Sequence, residues 1–523
     1  MRIKSVIQRL MPALTFGWTM LSVTAAVLPV VPRWQPQDFE FTAKTNSSNP
    51  FNISFNATVT APDGKSFILP GFYDGNEIWK VRVAPTQEGR WSLVTTSELV
   101  ELNSRSAAFD CGANTNRNMH GILRVDREHP HHFIFADGTR FFMQGYEYDW
   151  LWALDMDKSN VPSVAKTLDL IASYGFNYVI LDSFAYDTSW RRGKTSDDDY
   201  GPPLMIPWEG DNNNPDWSHM NLAYWKHYDQ VISALCQRGI EAHMLIKVYN
   251  KSVNWPAHNS PEEQLFFRWL LARYSAYPNI IWDFSKEAHN EKDVAYKQQW
   301  LKYVRETDPY RHLVTVHDDD KANDSGAYDE LTDFRADQEH HRYRATILRQ
   351  RERRAWPVAN VESDYECGFG GLQDKTYRQA QLPGDMMRTI WEIAMAGGYV
   401  GYYYTYTAWD VVRPLDEPPG YALMKHFGDF WRSTDWWLLQ PTDGLVANAW
   451  CLANPGREYV IYQNDPKPFT LEIKPATGAL TAQWFNPFTG EVRTADGKGS
   501  GALQFDPPSD WTNAPVVLHL RGK

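Results

Sequence analysis

Two glutamates stand out because each directly follows a short apolar segment that predicts a buried strand. Glu287 ends the stretch NIIWDFSKE, and Glu362 ends the stretch PVANVE. Paired carboxylates are what cleavage of a glycosidic bond needs: one carboxylic acid protonates the leaving oxygen, and the other attacks the anomeric carbon or activates a water. A single glutamate at such a place is as readily explained by an ion pair at the start of a loop. The chemistry therefore depends on a fold that brings the two together.

The central part of the chain, residues of about 120–435, has the pattern of repeated strand and helix units. Apolar residues of 164–171 share one helical face, and the apolar segment 178–181 follows them. Such alternation predicts a (β/α)8 barrel. An open doubly wound sheet is the alternative, but it usually carries a glycine-rich phosphate turn, and the sequence has none. Catalytic residues of barrels lie at the C-terminal ends of strands, so Glu287 and Glu362, predicted after strands four and seven, would share one pocket.

Both ends of the chain are predicted to be all-β. Apolar and polar residues alternate in 53–59 and 79–83, and again in 469–473 and 516–520, which is the period of a half-buried strand. The predicted fold class is α/β, a (β/α)8 TIM barrel flanked by two small all-β sandwich domains. We expect a signal peptide at 1–31, an N-terminal β-sandwich at 32–115, the catalytic barrel at 116–437 and a C-terminal β-sandwich at 438–523.

The first 31 residues have the order of an export signal. Basic residues within 2–9 precede an apolar run at 10–21, and small residues at 24–26 offer a cleavage site. The uncharged run continues to Val31, so an uncleaved membrane anchor is the alternative. No later stretch is apolar for long enough to span a bilayer. This pattern predicts a secreted or periplasmic protein with no membrane span in its mature part.

Composition narrows the class of partner. The formal net charge of −12 argues against a nucleic-acid phosphate backbone as the main partner. The 23 Trp, 27 Tyr and 25 Phe residues either fill large apolar cores or offer flat faces on which sugar rings stack. The four cysteines are scattered without metal-binding or redox spacing and predict no particular disulfide. A carbohydrate is the expected partner, and the oligomeric state is left open.

Five longer segments carry a resemblance to a known group of proteins. They are PGFYDGNEIWKVRVAPTQEGRWSLVTTS, GILRVDREHPHHFIFADGTRFFMQGY, NIIWDFSKEAHNEKD, PVANVESDYECG and WEIAMAGGYVGYYYTYTAWD. Together they resemble the retaining glycoside hydrolases of clan A, and within that clan the barrels of the apiosidase-like and cellulase-like kind. Such proteins often carry a β-sandwich in front of the barrel and a C-terminal β-sandwich of the collagen-binding type. The resemblance covers nearly all of the chain after the predicted signal.

By this resemblance, Glu287 is the acid/base and Glu362 is the nucleophile. Glu366 competes for the second role, but it lies four residues further on and is expected in a loop. One departure concerns Lys286, because related barrels usually have an asparagine there that holds the sugar 2-hydroxyl, whereas lysine can only donate. The Lys286 side chain could point into the pocket and favour an anionic or unusually oriented sugar, or it could point away into a salt bridge.

Further candidates for substrate binding share predicted positions at strand ends. His317 and Tyr365 could orient the nucleophile or bind hydroxyls, and Trp409 could form the floor under the sugar. The acidic clusters at 197–199 and 318–320 lack the ligand spacing of a calcium loop, so neither a metal nor a cofactor is expected. The candidate substrate-binding residues are Tyr146, Glu147, Asp149, Trp150, Lys286, His317, Tyr365, Glu366 and Trp409.

The expected function is a secreted retaining glycoside hydrolase that acts on a plant or microbial polysaccharide or oligosaccharide by double displacement. One alternative is a catalytically inactive carbohydrate-binding or adhesion protein, which would not need both carboxylates. The other is a transglycosylase that uses the same residues and excludes water from the acceptor side. For the retaining mechanism, the two carboxyl groups should lie about 5–5.5 Å apart, against about 6.5–9.5 Å for inversion.

Overall fold

The computed structural model describes most of the chain after the predicted signal. The described residues are 28–47, 49–187, 202–319, 326–373, 380–408, 412–473, 480–497 and 502–522. Residues 1–27 of the predicted signal and the candidate Trp409 lie outside these ranges. No helix within them is long and apolar enough to cross a membrane. None of the four cysteines, all of which are described, forms a disulfide.

The N-terminal part is a sandwich of two sheets, which confirms the all-β prediction. Alternation in β3 turns Ala57 and Val59 inward and Thr58 outward, and Trp79 and Trp91 fill the space between the sheets. One sheet has the order β1-β8-β7-β3-β4 and the other β2-β6-β5. The strands are β1 Val30–Pro32, β2 Gln37–Thr42, β3 Phe55–Thr60, β4 Ser66–Pro70, β5 Phe72–Gly75, β6 Ile78–Val83, β7 Gly89–Ser97 and β8 Ser106–Gly112.

A small antiparallel sheet then closes the lower end of the barrel. It consists of β9 Leu123–Val125, β10 Phe133–Phe135 and β11 Arg140–Phe141. The ring of Phe133 packs against Phe334 and Tyr399, with centroids 5.4 and 5.3 Å away. Both partners lie at the start of barrel strands, so this sheet covers the end opposite the predicted site.

The centre is a parallel barrel, as predicted. Its sheet has the order β18-β17-β16-β13-β12-β24-β21-β20-β19, and β12 pairs with β24. Only Val316 separates β18 from β19, so these two short strands share one position and the ring has eight. The segment contains β12 Gln144–Glu147, β13 Tyr178–Asp182, β14 Trp208–Gly210, β15 Pro215–Met220, β16 Glu241–Val248, β17 Ile280–Lys286, β18 Val314–Thr315, β19 His317–Asp318, β20 Arg335–Asp337, β21 Val358–Asn360, β22 Tyr365–Glu366, β23 Ala380–Gln381 and β24 Tyr399–Tyr402.

Seven α-helices of the described residues surround the barrel, and their apolar faces match the sequence pattern. Val164, Leu168 and Ile171 of α1 are fully buried. Local sequence also sets the helix starts: the side chains of Asn221 and Ser260 accept hydrogen bonds from the first turns of α2 and α3. The helices are α1 Pro162–Ser173, α2 Leu222–Gln237, α3 Pro261–Tyr274, α4 Val294–Thr307, α5 Tyr343–Arg353, α6 Pro383–Ala394 and α7 Pro419–Arg432.

Charged side chains join the N-terminal sandwich to the barrel. Arg82 of β6 and Arg273 of α3 both pair with Asp229 of α2, at 3.1 and 2.5 Å. Arg273 also reaches Asp74 of β5 at 3.2 Å. Both arginine side chains are almost fully buried, so these ion pairs lie inside the interface between the N-terminal sandwich and the barrel.

The C-terminal part is a second β-sandwich, which packs on α6 and α7. Trp391 stacks on Tyr462 of β27 with ring centroids 5.5 Å apart, and Phe430 packs on Phe485 at 4.8 Å. The sheet orders are β25-β26-β27-β32-β29-β30 and β28-β31. The strands are β25 Gln440–Pro441, β26 Trp450–Asn454, β27 Glu458–Gln463, β28 Phe469–Glu472, β29 Leu480–Phe485, β30 Val492–Thr494, β31 Ala502–Phe505 and β32 Val516–Gly522.

Candidate active site

The candidate site lies at the C-terminal ends of the barrel strands. Glu147 ends β12, Lys286 ends β17, His317 begins β19, and Glu362 follows β21 by two residues. All four are at most 2% exposed. Parallel strands point these ends toward one face of the barrel, so residues far apart in sequence meet in one buried cluster.

The side chain of Lys286 lies at the centre of this cluster. Its ammonium donates to Glu147 Oε1 and, at 3.0 Å, to both carboxylate oxygens of Asp149. It also lies 3.3 Å from Oε2 of Glu362. The two orientations that the sequence left open are therefore combined: Lys286 points into the barrel, and there it is fully engaged in ion pairs.

Glu362 is held as a carboxylate. The hydroxyl of Tyr365 donates to its Oε1, while Oε2 faces Lys286 and lies 3.6 Å from Nε2 of His317. Burial would raise the pKa of Glu362, but the Lys286 ammonium, with smaller contributions from neighbouring groups, lowers it to about 2. An ionised, buried carboxylate is what a nucleophile of double displacement requires.

Glu287 lies nearer the mouth of the barrel and has a different environment. Its Oε1 accepts from the amides of Asn250 at 2.8 Å and Gln338 at 3.4 Å, and its Oε2 accepts from the amide of Asn290 at 2.8 Å. Its side chain is 18% exposed, against 3% for Glu362. All three donors are neutral, so they orient the carboxyl group without adding a charge.

The backbone at Glu287 is unusual. With φ 49° and ψ 50°, it adopts the left-handed conformation at the point where β17 ends and a short 3-10 helix, Ala288–Asn290, begins. A residue other than glycine pays a steric cost in this region, and such strain is retained where the surroundings impose it. The reversal lets Glu287 turn outward directly after Lys286, which points inward.

Two further acids in the cluster carry raised pKa values. Burial and the charge of Glu362 raise the pKa of Glu147 well above its usual range, although Lys286 opposes the shift. Burial and the charge of Asp149 do the same for Asp182 at the end of β13. Burial and the repulsion between neighbouring carboxylates thus favour the protonated forms of Glu147 and Asp182 over the charged ones.

The candidates after β12 divide into two groups. Glu147 and Asp149 join the cluster through Lys286, and the hydroxyl of Tyr403 also donates to Asp149. Tyr146 is fully buried, with its hydroxyl 3.0 Å from Thr407 Oγ1 and 3.1 Å from the Tyr421 hydroxyl, and Trp150 is fully buried beside Trp152. Tyr146 and Trp150 therefore pack within the core, whereas the sequence suggested that they grip a sugar.

His317 and Glu366, two further candidates, lie in different surroundings. Burial keeps the pKa of His317 well below its usual range, and neither ring nitrogen has a hydrogen-bond partner in the described part of the chain. Glu366 accepts from the hydroxyl of Tyr402 at 2.5 Å and from the backbone of Gly420 at 3.0 Å. These partners belong to β24 and α7, so Glu366 lies apart from the Lys286 cluster.

One group of side chains has the geometry of a metal site. Ligand atoms of Glu147, His317 and Glu362 all lie within 4.8 Å of one another. A histidine and two carboxylates suit zinc or a similar ion. The same two glutamates already flank the Lys286 ammonium, which supplies a cation between them.

Sequence reasoning did not assign four residues that contact the acids of the site. Asn290 lies three residues after Glu287, where a donor to that carboxylate could have been expected from the turn. Tyr403 lies in the aromatic run at the end of strand eight, which resembles an ordinary buried strand. Asn250 and Gln338 follow predicted strands as well, but nothing in their spacing pointed to Glu287.

Comparison with known families matches three parts of the chain. A family profile described as "Apiosidase-like, catalytic domain" matches residues 127–438, more than half of the chain. The chain belongs to the apiosidase-like family. Residues 30–98 of this apiosidase-like protein match a domain of unknown function, and residues 445–520 match a profile described as "Putative collagen-binding domain of a collagenase". The resemblance noted from the sequence is thus confirmed.

Solved structures share the fold of this apiosidase-like chain. A "putative glycoside hydrolase" from Bacteroides vulgatus ATCC 8482 has a TM-score of 0.76 and 20% identity, covering 95% of this chain and 100% of its own. A glycoside hydrolase family 5 protein from the same organism has a TM-score of 0.58 and 19% identity, covering 77% and 93%. No curated protein matches the chain. The family and the fold are those of glycoside hydrolases.

Proposed function

We propose that this protein is a secreted retaining glycoside hydrolase with Glu362 as nucleophile and Glu287 as acid/base. The observation that carries the proposal is the difference between the two carboxyl groups. Glu362 is buried beside a cation with a pKa of about 2, whereas Glu287 is partly exposed and held by neutral amides. One group is thus prepared to attack as an anion, and the other can exchange protons with solvent.

The reaction has two steps. In the first, a carboxylate oxygen of Glu362 bonds to the anomeric carbon, the glycosidic bond breaks, and Glu287 gives its proton to the leaving oxygen. In the second, Glu287 takes a proton from a water whose oxygen bonds to the anomeric carbon, and the bond to Glu362 breaks. The enzyme returns to its starting state, and the anomeric configuration is kept.

The substrate is proposed to be a plant or microbial polysaccharide or oligosaccharide. The matched family profile is described as apiosidase-like, so glycosides of apiose belong among the first substrates to test. We also propose that residues 1–31 direct export of the protein. The rest of the chain is proposed to form three domains, at residues 32–115, 116–437 and 438–523. The contacts of Arg82 and Arg273 with Asp229 favour a bracing role for the N-terminal sandwich.

The test is product release from a broad panel of glycans and aryl glycosides. We expect the wild type to cleave at least one member with retention, and Glu362→Ala to lose more than about 10⁴-fold in kcat. Glu366→Gln is the matched control, because Glu366 is an equally buried glutamate outside the cluster. Full activity of folded Glu362→Ala would reject Glu362 as nucleophile. Tight glycan binding without cleavage would favour the binding-protein alternative.

A further inference from the structure

Lys286 is surrounded by charged groups from the ends of other barrel strands. Glu147 and Asp149 face it from the first strand, Asp182 from the second and Glu362 from the seventh. Beyond these lie Lys251, which pairs with Asp187 at 3.4 Å, the imidazoles of His317 and His340 near Glu362, and the ring of Tyr403 at 5.2 Å. The ammonium is the cation that lies directly between the described carboxylates of Glu147 and Glu362.

The protons of Lys286 are already committed to the protein. An ammonium has three donors, and Lys286 uses them in hydrogen bonds to Glu147 Oε1 and to both carboxylate oxygens of Asp149. With Glu362 it forms an ion pair, 3.3 Å from Oε2, without a hydrogen bond. Its side chain is 2% exposed. It therefore has no donor left for a sugar hydroxyl, which is the role that an asparagine would have at this position. Its contact with a reacting atom is the one with Oε2 of Glu362.

Glu362 depends on this contact more than the other acids do. Glu147 accepts a hydrogen bond from the same ammonium, yet burial and the charge of Glu362 keep its pKa well above the usual range. Glu362 has the hydroxyl of Tyr365 on one oxygen, and the ammonium of Lys286 and the neutral imidazole of His317 lie 3.3 and 3.6 Å from the other. Removing the ammonium would leave a buried carboxylate without a counter-ion, which is costly.

We propose that Lys286 is a positioning residue for the nucleophile: its ammonium keeps Glu362 ionised for attack and stabilises the same carboxylate when it leaves the sugar in the second step. This proposal rests on the proposed function of Glu362. In the first step Glu362 loses its negative charge as the ester bond forms. In the second step the electron pair of that bond returns to Glu362, and a cation 3.3 Å from Oε2 makes it a better leaving group.

The first test is the pH profile of kcat/KM for Lys286→Met. The nucleophile must be ionised, so the acid limb reports its pKa. In the wild type, which has Lys286, the acid limb of the kcat/KM profile should lie below the usual pKa range of glutamate. Without it, burial dominates, and the limb should move up by about two pH units or more. Lys251→Met is the matched control, because it removes a buried lysine that faces Asp187, and its limb should stay in place.

The second test measures the intermediate. At a pH above both acid limbs, Lys286→Met should show kcat and KM falling together with an activated aryl glycoside, by about tenfold or more. Intact mass after rapid quenching should show the glycosyl ester accumulating in the variant and not in the wild type. A purely structural defect would lower kcat without trapping the ester.

Three outcomes overturn the proposal. They are an unchanged acid limb in a folded Lys286→Met, a fall in kcat without accumulation of the ester, and a wild-type limb that already lies at or above pH 4.5. The last needs no variant and decides the matter if Lys286→Met fails to fold. Failure of the proposed function looks different, because Glu362→Ala would then retain activity whatever Lys286 does.

Discussion

Glu362 and Glu366 lie four residues apart and are both buried, yet their pKa values are shifted in opposite directions. The pKa of Glu362 falls to about 2, because Lys286 outweighs the effect of burial. The pKa of Glu366 rises to about 7, because burial dominates and its partners, Tyr402 and Gly420, are neutral. Burial is common to the two sites, so the nearby Lys286 ammonium accounts for the opposite directions of the two pKa shifts.

Glu287 supplies a third case between these two. It has neutral donors, as Glu366 does, but it lies at the mouth of the barrel with 18% of its side chain exposed. A group in this position can change its charge during a reaction without leaving an uncompensated buried ion. The three glutamates thus show how position within one barrel face assigns different roles to the same side chain.

After the loss of activity expected for Glu362→Ala, the largest effect in this comparison is expected for Glu287→Gln. Loss of a general acid costs about 10²–10⁴-fold, and the loss should depend on the leaving group. Poor leaving groups need the proton and should suffer the full loss in kcat/KM, whereas a good aryl leaving group should suffer much less. Glu366→Gln serves as control and should show no such dependence. An equal loss with all leaving groups would reject Glu287 as the acid.

A smaller effect is expected on stability, and it should have opposite signs at the two buried glutamates. Because the folded pKa of Glu366 lies above the unfolded value, the folded state binds more protons between about pH 4.5 and pH 7 and loses stability as pH rises. Glu366→Gln removes this loss. Relative to the wild type, the free energy of unfolding of the variant should therefore increase by up to about 3 kcal/mol between pH 4.5 and pH 8.

Urea unfolding at several pH values measures this difference. Glu362→Gln is the companion variant, because the folded pKa of Glu362 is depressed. Its contribution to stability is present above the usual pKa of glutamate and is lost as pH falls toward about 2. Relative to the wild type, Glu362→Gln should therefore be less stable at neutral pH. Parallel curves for both variants would contradict the assigned charge states.

The smallest effect is expected for Tyr365→Phe. Tyr365 donates to Oε1 of Glu362, while Lys286 remains on Oε2, so the nucleophile keeps its counter-ion. A hydrogen bond to a charged group contributes about 1.5–3 kcal/mol, which predicts a loss of about tenfold or more in kcat. Tyr403→Phe is the matched control, because Tyr403 donates to Asp149 instead. Equal losses in both variants would show that Tyr365 has no special relation to Glu362.

Much of the framework followed from sequence patterns. Period-two alternation located both sandwiches, and repeated strand and helix units located the barrel. The same counting placed Glu287 after the fourth strand and Glu362 after the seventh, where the structure has β17 and β21. These predictions succeed because burial of one face of each element is written directly into the spacing of apolar residues.

The details of the site could be predicted less well from the sequence. Tyr146 and Trp150 were expected to face a sugar, but both are buried in the core. Alternation along a strand cannot separate a residue that faces the barrel interior from one that faces the substrate above it. The left-handed backbone of Glu287 and the amides that reach it from other loops also left no trace in the local pattern.

The sequence by itself determined the class of fold, the order of the strands and the two glutamates that end strands four and seven. Only the tertiary structure decided which charged neighbours each carboxyl group meets. The charge of a buried side chain depends on neighbours that come from distant segments, and Lys286 meets Glu147, Asp149 and Glu362 only after the barrel closes. Residue spacing encodes which face is buried, but it does not encode which charges meet there.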